Sequence, residues 1–155
     1  MKIFELGIET MARTGFTHRF EITFADLVAL GAVLTGKLSL AAYAAGAPGV
    51  AAAAWRLKTP FDGGATATMA MIVGWDGATT DDDDGVISAV ELHADATELL
   101  FGDGNGAGFA TLRTGYFPLD AGTYKVTFTT TTGNMDALTQ GEVHVYLKLV
   151  DLTKL

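Results

Sequence analysis

Three segments of this chain alternate with a period of two. In HRFEITF, Phe20, Ile22 and Phe24 fall on one side, with Arg19, Glu21 and Thr23 on the other. TYKVTFTT sets Tyr124, Val126 and Phe128 against Thr123, Lys125 and Thr127. EVHVYLKLV sets Val143, Val145, Leu147 and Leu149 against His144, Tyr146 and Lys148. Successive side chains of an extended strand point to opposite faces, so the pattern predicts strands with one buried and one wetter face. The threonines of TYKVTFTTTT favour strand over helix as well.

Residues 51–61, 65–75 and 109–117 read as further strands. Turn signals lie between them: Asp62-Gly63-Gly64, Asp76-Gly77, the glycine cluster 102–106, Asp120-Ala121-Gly122 and Gly133-Asn134. At most one short helix is expected, near residues 25–34, capped by Thr23 or Asp26 and weakened by Gly31. Seven or eight short strands joined by such turns predict an all-β fold, an antiparallel β-sandwich of jelly-roll type. A chain of 155 residues without a fixed-period repeat or a dividing linker reads as one domain over residues 16–155. Residues 1–15 read as an extended N-terminal arm.

Composition excludes several classes. Hydrophobic residues make up 49%, which places the chain among folded rather than disordered proteins. Without cysteine there is neither a disulfide nor a thiolate metal site. Glu5 interrupts the apolar run that a secretory signal would need. The longest uncharged stretch, residues 38–55, is broken by Gly46, Pro48 and Gly49, which favours a buried or interface segment over a membrane helix. Net charge is −8, and no Lys or Arg occurs between Lys58 and Arg113. That interval holds ten acids, so a basic footprint for nucleic acid is missing and the acidic block reads as solubilising charge.

The acidic stretch DDDDGVISAVEL, residues 81–92, invites a test as a calcium loop. With Gly85 at position 6 of an EF-hand, Asp82, Asp84, Val86, Ile87 and Glu91 occupy suitable positions. Position 1, however, is Thr80 where the motif requires aspartate, and the preceding MIVGWDGATT is strand-like rather than helical. A second acidic loop, with Asp103 and Asn105, has Thr114 where the bidentate acid should be. Asp81 to Asp84 are therefore read as a solvated turn. VISAVEL leads on as a strand with Val86, Ser88, Val90 and Leu92 on one face. The alternative is an irregular calcium site in a loop.

Signals for catalysis are weak. His18, His93 and His144 each sit in or near a strand pattern, with no His-x-His or His-Glu-x-x-His spacing for zinc. Ser39 and Ser88 are the only serines, and neither lies in a Gly-x-Ser-x-Gly elbow. The cluster Gly102 to Gly108 lacks the lysine of a phosphate loop. Trp55 and Trp75 are the best candidates for a sugar platform, set against burial in the core. The chain is read as a non-enzyme with no catalytic residue, no metal ligand and no cofactor.

Three phrases taken together, RLKTPFDGGATATMAMIVGWDG, ELHAD and LTQGEVHVYLKLVDL, resemble the head cement or decoration proteins of tailed bacteriophages. The matching positions are Thr59, Pro60, Phe61 and Asp62 entering a strand, Gly74 ending it, and Thr139, Gly141 and Glu142 before the last strand. The likeness runs from about Phe16 to Leu152, leaving Met1 to Glu9 outside. It implies a jelly-roll virion protein, made in the host bacterial cytoplasm, that sits on the outer capsid surface. There it would cement major capsid protein subunits and pair with itself as a homodimer or homotrimer, with no nucleic-acid or membrane partner. Ala51 to Ala54 would allow close backbone approach at an oligomer contact. The alternative is a carbohydrate- or receptor-binding sandwich with calcium held near Asp81 to Asp84 and Asp103.

Overall fold

The computed structural model describes residues 1–43, 49–79, 81–93, 101–102 and 121–150. The three alternating segments are strands: β2 (His18–Thr23), β8 (Gly122–Thr130) and β9 (Gln140–Val150). Their apolar sides face inward as expected, with Phe20, Ile22, Tyr124, Val126, Phe128, Val143, Val145 and Leu147 all buried. The remaining strands are β1 (Lys2–Glu5), β3 (Thr35–Tyr43), β4 (Gly49–Asp62), β5 (Met69–Gly77), β6 (Asp81–Glu91) and β7 (Phe101–Gly102). The strand expected at residues 109–117 lies outside the described residues.

Two sheets form, with strand orders β1-β2-β9-β4-β7 and β3-β8-β5-β6, and every pairing is antiparallel. The pairs β2·β9, β3·β8, β4·β7 and β5·β6 are nested, as though one long hairpin had been rolled up. That nesting across two sheets is the jelly-roll arrangement. The sandwich core is filled from both inner faces, and Trp75 meets Tyr124 edge-on with ring centroids 4.8 Å apart. At one corner the sheets join: the Phe61 amide donates to the Leu92 carbonyl at 2.8 Å, and Phe61 bridges His93.

Between β2 and β3 the chain crosses the sandwich through helix α2 (Phe24–Val28). Of the two expected caps Thr23 is the N-cap, and Asp26 accepts from both the Thr23 amide (2.8 Å) and hydroxyl (2.9 Å). The helix stops short of residue 34. Gly31 takes φ +88, a left-handed conformation that glycine adopts without steric cost.

A second helix, α1 (Ile8–Thr14), exceeds the single one expected. Residues 1–15 are thus extended only in β1, which pairs with β2, and then wind into α1, closed by Gly15 at φ +76. Two punctuation marks also moved. Thr59 to Asp62 end β4 rather than begin a strand, and Gly74 lies inside β5, which runs on to Gly77. Ala51 to Ala54 lie in β4 against β9, with Ala53 buried, so they serve sheet pairing within the chain.

Candidate interaction surfaces

The acidic stretch is not a turn. Asp81 to Asp84 open strand β6, whose register against β5 slips twice: Met71 opposes Val90, Val73 opposes Ile87, and Trp75 opposes Asp82. Each slip inserts extra residues on the β6 side, which is what a β-bulge does. The bulges also break the expected alternation, so Val86 and Ile87 are both buried although they are neighbours. Gly74 makes room for this bend. A Cβ there would lie 2.0 Å from the Asp82 carbonyl oxygen and 2.4 Å from that of Asp83.

The bent segment folds over the outer face of its sheet. Asp83 reaches Lys37 on β3 at 3.0 Å, although β8 and β5 lie between the two strands. Thr127, placed beside Lys37 by the register, is only 6% exposed on this nominally wet face. Lys125 pairs with Asp76 on the same surface. Part of the acidic block is therefore neutralised internally. Among the described residues no group of three or more His, Asp or Glu is placed to hold a metal ion. Thr80, Asp103, Asn105 and Thr114 lie outside the described residues.

The opposite sheet carries a ladder of mixed charge on its outer face. Register sets Lys2, Glu21, His144 and Arg56 side by side across β1, β2, β9 and β4. The next row holds Phe4, Arg19, Tyr146 and Ala54. Arg19 bonds Glu21 at 2.8 Å and lies 4.5 Å above the Phe4 ring, a cation–π contact. His144 is 7% exposed; its Nε2 sits 2.7 Å from a Glu142 carboxylate oxygen and 3.8 Å from one of Glu21. Because an ionised carboxylate only accepts, Nε2 is the donor to Glu142. The Tyr146 hydroxyl lies 3.4 Å from Nδ1. A polar pocket of about 360 Å³ opens beside this ladder, lined by Met1, Lys2, Glu21, Thr23, Asp26 and Glu142. The Met1 amine pairs with Asp26 inside it.

The remaining candidates are dispersed. His18 lies 2.8 Å from the Thr17 hydroxyl and 4.0 Å from Glu5, and burial lowers its pKa below 6.5, partly opposed by the Glu5 charge. His93 sits at the corner between the sheets, 3.9 Å from Asp62. Ser39 is on β3 and Ser88 on β6. Trp55 and Trp75 are both buried, at 4% and 0% exposure, which removes them from the surface where a sugar ring would stack. Among the described residues no helix is long and apolar enough to cross a membrane. Sequence reasoning missed the Glu21–His144–Glu142 contact, because Glu21 and His144 are 123 positions apart and meet only through the β2·β9 register.

No protein family, curated protein or solved structure matches this chain.

Proposed function

We propose that the protein is a structural virion component that decorates a bacteriophage capsid and cements neighbouring major capsid protein subunits. The nested eight-strand pairing of a jelly roll carries this reading, since it is the architecture that the cement-protein resemblance implies. The surfaces suit it. Among the described residues both outer sheet faces carry charged side chains, which suit shallow polar contacts. Contacts of that kind are weak singly and become strong when repeated over a lattice. A cysteine-free chain also suits assembly in a reducing bacterial cytoplasm.

The test is co-sedimentation of purified protein with phage shells. Binding to expanded but not to immature shells is expected, and failure to sediment with either overturns the reading. A glycan array and a calcium titration examine the carbohydrate-binding alternative, for which saturable glycan binding would be decisive.

A further inference from the structure

The four edges of the two sheets are not equally guarded. β6 carries Asp81 to Asp84 and two bulges, and β3 carries Lys37 and a bulge between Ser39 and Ala41. Charges and bulges of this kind discourage a second chain from pairing with a strand edge. On the other sheet β7 precedes residues that are not described, whereas β1, though short and bounded by Lys2 and Glu5, pairs with β2 without a bulge. Its centre is Ile3-Phe4, and Ile3 is 54% exposed. Ile8, just beyond the strand, is 82% exposed.

The hydrogen-bond phase of β1 can be read from its end. The Leu6 amide donates to the Thr17 carbonyl at 2.8 Å, one step past the paired residues Glu5 and His18. In an antiparallel ladder the residues that exchange both bonds alternate along the strand. Leu6, Phe4 and Lys2 therefore turn their backbone groups toward β2, and those of Ile3 and Glu5 face the edge that no strand pairs with among the described residues.

From this geometry we infer that β1 is a homodimer contact, the occupant of its open edge being β1 of a second copy related by a two-fold axis normal to the sheet. Such an axis requires residues of equal parity to oppose each other, because opposed side chains share a face. One register uses every outward group of Ile3 and Glu5. Ile3 bonds Glu5 of the second copy, Glu5 bonds Ile3 of the second copy, and Phe4 faces its own equivalent between them. No like charges are directly opposed in this arrangement, and Phe4 gains an aromatic cross-strand partner. Centring on Glu5 would oppose two carboxylates, which is destabilising, and centring on Ile3 would set Glu5 opposite Met1, whose amine is held by Asp26. The two sheets would then run on as one continuous sheet through the dimer. This inference does not rest on the capsid reading and survives its failure.

A chain without cysteine allows a clean test by single-cysteine variants. In the inferred register the two Phe4 positions form a non-hydrogen-bonded pair about 4.5 Å apart at Cα, within disulfide reach. The two Ile3 positions are diagonal neighbours about 7–8 Å apart, beyond it. The wild-type protein is expected to be a dimer by light scattering, Phe4→Cys to oxidise to a covalent dimer, and Ile3→Cys to remain largely uncrosslinked despite its greater exposure. Phe4→Glu, which sets two carboxylates opposite each other across the axis while Arg19 beside it within the chain remains a partner, should give a monomer with an unchanged circular dichroism spectrum. A monomeric wild type, preferential crosslinking through Ile3→Cys, or a Phe4→Glu variant that stays dimeric would each overturn the inference.

Discussion

Single residues decide whether the acidic strand can lie where it does. Gly74 is in contact with the backbone of Asp82 and Asp83, which cannot swing aside as a side-chain tip would. Gly74→Ala is expected to cost about 1–3 kcal/mol, the range for overpacking a close-packed site. Urea denaturation checks this, and an unchanged midpoint would mean that the bulge yields freely. The sequence shows a glycine at this position but not the strand that packs on it, which is why it reads as a strand end. His18 supplies a pH dependence. Its pKa is lowered in the folded state chiefly by burial, so the unfolded chain binds the proton more readily. Stability from this residue is present above pH 6.5 and declines as pH falls from there through the lowered folded value. Denaturation midpoints measured across that interval should fall more steeply for the wild type than for His18→Gln.

Among the elements, the strands with one covered face were the easiest to read. β2, β8 and β9 keep their alternation because β2 pairs with β9, and β8 with β5, without a slip, so face and sequence parity stay locked. β6 loses that lock at its bulges: Val86, Val90 and Leu92 are buried as expected, but Ile87 is buried with them and Ser88 is not. Helix α2 was legible at its start and not at its end. The Thr23–Asp26 cap is written locally, whereas the left-handed turn at Gly31 belongs to the crossing between the sheets. Thr23→Ala should destabilise the protein by about 1 kcal/mol, a usual value for loss of an N-cap. Equilibrium unfolding measures it, with no change expected in strand content. α1 escaped notice because its seven residues carry too little apolar periodicity to stand apart from an arm.

For the molecule as a whole, the rolled hairpin joins residues far apart in sequence, with β2 against β9 and β3 against β8. Those distant pairings place the charge ladder of Lys2, Glu21, His144 and Arg56, and they carry Asp83 across the sheet to Lys37. The two surfaces through which the molecule would meet capsid subunits and its own copy therefore exist only after folding. The sequence by itself determined the class of the fold, because alternation with period two can bury a face only as strands, and it determined which side of β2, β8 and β9 faces the core. It also determined where Thr23 starts a helix, since a cap depends on residues three apart. Tertiary structure alone decided the strand order, the burial of both tryptophans, the bending of Asp81 to Asp84 over their own sheet and the open edge of β1. The physical reason is register: a strand's neighbours are chosen by packing and hydrogen bonding across the whole chain, and a slip of one residue exchanges the buried face for the wet one.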